Sequence, residues 1–128
     1  MSGANEPVVK DERAQLPVPS AWRPTLSKIV DAFVQRDYSL QRGVDGVAAI
    51  PKSKADHIEQ YIADYGETLA GLPEEAWETS VTLWMRTFWD VFVDLFSDES
   101  GASDLVLSVR VFEDGDGYRF EVHSVHVP

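Results

Sequence analysis

Histidines, carboxylates and a dense run of aromatic side chains are the residues of this 128-residue chain that could do chemistry. The imidazoles are His57, His123 and His126. In a regular strand, positions 123 and 126 point to opposite faces, so they are no natural ligand pair without a bulge. There is no cysteine, which excludes a disulfide framework, a thiolate nucleophile and a cysteine zinc site. Asp94, Asp98, Glu99 and Asp104 lie close together but lack the regular odd spacing and terminal Glu of a calcium loop. Asp114 and Asp116, interleaved with Gly115 and Gly117, read as a tight turn. Neither a metal nor a cofactor is expected.

Catalytic constellations are also missing. Asp90 and Asp94 share the even face of one strand at about 13 Å, given ~3.3 Å per residue. That is too far for a glycosidase pair. Asp94, between Val93 and Leu95, reads as a carboxylate accepting backbone hydrogen bonds at a strand end. Ser100, Ser103 and Ser124 sit outside any Gly-x-Ser-x-Gly elbow, and no Gly-x-Gly-x-x-Gly loop is present. No catalytic residue is assigned, and the chain carries no enzyme signature.

The aromatic run is the more informative feature. Trp77, Trp84, Phe88, Trp89, Phe92 and Phe96 fall within 20 residues. On the even-numbered side, Trp84, Phe88, Phe92 and Phe96 interleave with Asp90 and Asp94. An aromatic patch rimmed by acids has the composition of a protein-binding hot spot. Two other readings stand beside it: the even face is the helix-covered core, or an N-terminal arm covers the patch.

These residues need elements to hold them. Residues 1–19, with Pro7, Pro17 and Pro19, read as a flexible arm, extended near Leu16–Pro19. Residues 20–128 read as a single domain. Leu26, Ile29, Val30, Phe33 and Val34 form one helical stripe, with Ser20 as cap and Pro24 in the first turn. Residues 38–52 form a loop that Val47 and Ile50 anchor. A second helix runs from about Ser53 to Tyr65, closed by Gly66. Residues 72–77 fit a short helical turn. From Thr79 onward the period becomes two, with a turn or bulge at Thr87. Asp104–Phe112 and Tyr118–Val127 form a hairpin about residues 113–117, with a bulge near His123–Ser124. The expected fold is α+β: two N-terminal helices packed on a three- to four-stranded antiparallel meander.

Charge narrows the partners. The net charge is −11. Residues 1–64 carry 9 acids against 8 bases, and residues 65–128 carry 13 against 3. Such a surface repels phosphate backbones and offers no footprint for nucleic acid. It suits a basic protein partner through long-range steering, and it also keeps a domain soluble. The longest apolar stretch, Val81–Phe96, is broken by Arg86, Asp90 and Asp94, so no membrane helix is expected. The first residues lack the basic and apolar regions of a secretion signal, and a cytoplasmic protein is expected.

Five segments resemble a family of small bacterial domains: Trp22–Leu26 (WRPTL), Tyr61–Gly66 (YIADYG), Trp89–Leu95 (WDVFVDL), Ser103–Leu107 (SDLVL) and Val125–Pro128 (VHVP). The resemblance covers about residues 16–128 and brings no assigned activity. It implies a bacterial, free-standing cytoplasmic domain and no catalytic residue. The expectation is a non-enzymatic protein-binding module, in its sharper form an immunity- or antitoxin-like protein whose acidic half masks a basic partner. Its binding residues would be Trp84, Phe88, Asp90, Phe92, Asp94 and Phe96. The alternatives are a small-molecule site or enzyme in a helix–sheet cleft using Asp94, Tyr61 or His123, and a homodimer of unrelated role.

Overall fold

The computed structural model describes residues 8–128. Helix α1 spans Arg23–Val34 and helix α2 spans Lys52–Tyr65. Leu26, Ile29, Val30 and Phe33 make the buried stripe of α1 as their spacing requires, whereas Val34, read into the same stripe, is exposed in the last turn. Ser20 does not cap α1. It opens a 3-10 turn, Ser20–Trp22, that leads into the helix, and Trp22 takes the cap position. The reason is burial: the indole is 2% exposed in the core, worth more than one cap bond. Pro24 lies in the first turn, where its missing N–H costs nothing. Helix α2 likewise starts at Lys52 after Pro51, one residue ahead of Ser53. Gly66, at φ 85°, closes it by donating its N–H to the Ala63 carbonyl.

Four strands form the antiparallel meander: β3 Val81–Trp84, β4 Trp89–Ser97, β5 Gly101–Asp114 and β6 Gly117–His126. Two more strands raise the sheet to six, against the three or four expected: β1 Leu16–Pro17 and β2 Leu69–Ala70. Both are two residues long, too short to leave a periodic signal. Strand order is β1-β3-β4-β5-β6, with β2 also paired to β4. A 3-10 helix, Glu74–Glu78, carries the chain from β2 to β3.

The helices cover the odd-numbered face of β4 and β5. Val91, Val93, Leu95, Leu107, Val109 and Val111 are 0% exposed. Each contributes about 1.5–3 kcal/mol relative to an exposed position. Phe120, Val122 and Val125 of β6 complete this core. Its wide end is aromatic: Trp22 meets Trp89 and Tyr118 edge to face, at 5.4 and 5.2 Å between ring centres. Of the segment read as an arm, residues 1–7 lie outside the described residues. Val18 is buried in the core, and the Val9 carbonyl accepts the Trp89 indole N–H at 3.0 Å. Lys10 Nζ stands 5.1 Å from the Trp84 ring centre.

The β6 edge is sealed by its surroundings rather than by another strand. Ala48 N–H donates to the Phe120 carbonyl and Phe120 N–H to the Gly46 carbonyl. Lys54 Nζ donates to the Val122 carbonyl, and Val127 N–H to the Tyr61 hydroxyl. The 38–52 loop therefore blunts an edge that would otherwise pair with another chain. Ile50 is buried as expected, and Val47 bridges to Phe120.

Among the described residues, three turn residues hold left-handed backbone without being glycine: Arg36 at φ 65° after α1, Leu40 at φ 60°, and Arg86 at φ 76° between β3 and β4. Arg36 is exposed, whereas Leu40 is 4% exposed and its core contacts offset the strain. Arg36→Gly is therefore expected to stabilise the fold by about 0.5 kcal/mol. Leu40→Gly is expected to destabilise it by about 2 kcal/mol. Urea midpoints of the two variants measure the contrast.

Candidate functional site

Helices on one face leave the other face of the sheet to side chains alone. Cross-strand register decides who stands there. Strand β4 presents Asp90, Phe92 and Asp94, and β5 sets Arg110, Ser108 and Val106 opposite them. Strand β6 adds Glu121, Ser124 and His126 beyond. Phe88 and Phe112 close one end at 5.4 Å between centres. The structure thus gathers Phe88, Asp90, Phe92 and Asp94 on a common face, all half-buried.

Two of the expected face residues stand differently. Trp84 does not join them. It pairs with Trp89 across the turn and its ring lies tilted against that of Trp89, 4.5 Å between centres, so it belongs to the helix face. The cause is turn length: residues 85–88 separate the paired positions, and an even residue of β3 therefore faces with an odd residue of β4. Val81 and Leu83 take the open side instead, opposite Phe92 and Asp90. Phe96 follows a register shift after Asp94 and pairs with Ala70 and Ala102. It is 8% exposed, buried outside the helix-side core.

The face is laced rather than bare. The Arg110 guanidinium lies 4.9 Å from the Phe88 ring centre, and that of Arg119 lies 4.6 Å from Phe112. Arg110 Nε also approaches Asp90 Oδ1 at 3.8 Å. Asp94 is held by its neighbours: its carboxylate accepts the Thr79 hydroxyl, and its N–H donates to Ser80 Oγ. It therefore accepts a side-chain hydroxyl rather than backbone N–H groups. Phe112, Arg110 and Arg119 were not singled out from the sequence. The even-numbered positions of β5 carried the signal, because Val106, Ser108, Arg110 and Phe112 alternate with the apolar core set.

The register of β5 and β6 shifts between Ser108 and Val109, which leaves His123 as the extra residue of a bulge where one was expected. Ser124 Oγ and His126 Nδ1 are 3.0 Å apart. His123 itself makes no such pair. Partial loss of water around its ring, then the positive charges of Arg110 and Lys54, hold its pKa below the ordinary 6.5, with Asp90 opposing. Tyr61 is engaged by Val127 at the β6 edge, so it does not share a cleft with Asp94 and His123 on the other face.

Carboxylates cluster around the β4–β5 turn. Glu67 accepts hydroxyls from Ser97 and Ser100 at 2.6 and 2.8 Å. Glu99 accepts the Thr68 hydroxyl and N–H, which hold its pKa below the ordinary carboxylate value. Among the described residues, no group of three or more His, Asp or Glu side chains is disposed to hold a metal ion. Nor is any helix among them long and apolar enough to cross a membrane.

This is a two-layer α+β domain with two helices on one face of an antiparallel sheet and a charged, aromatic face opposite. The sequence model of one family, described as a domain of unknown function (DUF7668), matches residues 30–128, and the chain belongs to that family. The match begins inside α1, so Trp22–Leu26 precede it. No curated protein and no solved structure matches the chain.

His123 gives the face a pH signature. Well above pH 6.5 the ring is neutral in both folded and unfolded chain. As pH falls below that value, the unfolded chain takes up the proton first, so stability declines down to the folded pKa. Proton NMR of the imidazole is expected to give a midpoint below 6.5, and Arg110→Gln to raise it. An unchanged midpoint in that variant removes Arg110 from the account.

Proposed function

We propose that this domain is a non-enzymatic protein-binding module, and that the open sheet face receives a basic partner around Phe92 and Asp94. One observation carries the reading: the acid-rich half has no free base with which to neutralise itself. Its three arginines are engaged inside the molecule. Arg86 pairs with Glu12 at 2.9 Å, Arg119 with Glu121 at 3.1 Å, and Arg110 lies between Asp90 and Phe88. Among the described residues, Glu67, Glu74, Glu75, Glu78, Asp94, Asp98, Glu99 and Asp104 have no ion-pair partner. They lie just ahead of β2, on the 3-10 helix, and on the strands and turn of the β4–β5 hairpin. A field of one sign at one end of a sheet steers an oppositely charged protein and adds specificity where the face is partly apolar.

An immunity- or antitoxin-like role, in which the domain masks a basic protein, is the form of this reading that fits best. Binding would centre on Phe92 and Asp94, with Phe88, Asp90 and Phe96 behind them. Trp84 has no part in it, because its ring lies against Trp89.

Capture from native lysate tests the reading. Wild type is compared with Phe92→Ala/Asp94→Lys, and with Asp114→Lys/Asp116→Lys on the far hairpin. A basic protein retained at low salt is expected to fall about tenfold at roughly 0.5 M salt and in the Phe92/Asp94 variant, but not in the hairpin variant. No retained protein, or equal loss in both variants, sinks the proposed face. Elution of the free domain as a dimer that the Phe92/Asp94 variant disrupts assigns the face to self-association instead.

A further inference from the structure

A cleft of about 560 Å³ opens on the helix side, between the C-terminal ends of α1 and α2 and the short strand β2. That volume lies within the usual range for small-molecule sites. Phe33, Ile62 and Leu69 line it and are 1%, 6% and 8% exposed, so its apolar wall continues directly into the core. Tyr38 stacks on Phe33 at 5.8 Å between centres and 30° between planes.

Polar groups gather around this wall. Arg36, Tyr38, Glu59, Glu67 and Asp98 all line the cleft. Glu67 is engaged by the Ser97 and Ser100 hydroxyls. Among the described residues, Glu59 and Asp98 make neither an ion pair nor a side-chain hydrogen bond. Carboxylates outnumber guanidinium three to one, and Glu99 adds charge beside Thr68 at the same end. The Tyr38 hydroxyl senses this field. Its pKa lies above the ordinary value, through partial burial first and the charge of Glu59 second. A neutral ring face beside free carboxylates attracts a cation on two counts.

We propose that this cleft binds a small organic amine, its apolar body against Phe33, Ile62 and Leu69 and its ammonium toward Glu59 and Asp98. An anion is disfavoured, because Arg36 alone would have to overcome three carboxylates. The site is separate from the open sheet face and stands whether or not that face binds a protein.

Phenethylamine is the probe, with phenethyl alcohol and phenylacetate as neutral and anionic counterparts of similar shape. Amide NMR spectra of the full chain report binding. Phenethylamine is expected to shift the amides of Ala63, Gly66, Thr68 and Leu69 and to saturate below about 20 mM. The alcohol is expected to bind at least about fivefold more weakly, and phenylacetate to leave these amides unmoved. Glu59→Gln/Asp98→Asn is expected to weaken the amine about fivefold or more while the thermal midpoint stays unchanged. Phe92→Ala/Asp94→Lys is expected to leave amine binding intact, which separates this site from the protein-binding face. Equal shifts from all three probes, shifts confined to the sheet face, no saturation, or full binding by the Glu59/Asp98 variant would each overturn the proposal.

Discussion

The odd-numbered face of β4 has to be dry, and the rest of the molecule is arranged around that constraint. Val91, Val93 and Leu95 are fully enclosed, and Trp89 beside them is 1% exposed. Strand β4 pairs with β3 and then β2 on one side and with β5 on the other, and in the gap between β3 and β2 the Ser80 Oγ accepts the Asp94 N–H. Only side chains remain to be placed. The two helices supply the apolar stripes that close the odd face, and Trp22, Tyr118 and Phe120 fill its wide end. Because side chains alternate, closing one face assigns every even residue to the other.

That assignment explains the character of the open face. A sheet face without a helix over it must be acceptable to water, yet Phe88, Phe92 and Phe112 stand on it. Arginines resolve the conflict for two of them, the Arg110 and Arg119 guanidinium groups standing 4.9 and 4.6 Å from the Phe88 and Phe112 ring centres. Phe92 has no such cover and lies between Asp90 and Asp94 on the same face. The three arginines of the acidic half are thereby committed internally, and its surplus negative charge is left facing outward.

The helix-side cleft arises from a different compromise. Helix α1 ends at Val34, two residues before the left-handed Arg36, and α2 ends at Tyr65, capped by Gly66, so both helices stop short of the β4–β5 turn. Strand β2 is only two residues long and does not fill the gap. The wall of core side chains left there is bordered by whatever polar residues the turns carry, and these turns carry mostly acids.

Much of this was legible from spacing. Period 3.6 marked Leu26, Ile29, Val30 and Phe33 as the buried stripe of α1, and period two marked the alternation of β4 and β5 while leaving open which of the two faces the helices cover. Glycine marked the end of α2, and the slip in parity marked the bulge at His123, because each is a local backbone requirement. The charge asymmetry was likewise a property of composition. Tertiary structure alone decided where Trp84 points, since one turn's length reverses a strand's parity and nothing in the strand itself reveals it. It alone added β1 and β2, whose two-residue pairings exist only because neighbouring backbone was free to receive them. It also decided that Tyr38, Glu59 and Asp98 meet around one cleft. They come from a loop, a helix and a turn far apart in the chain, and packing, which no local period encodes, brings them together.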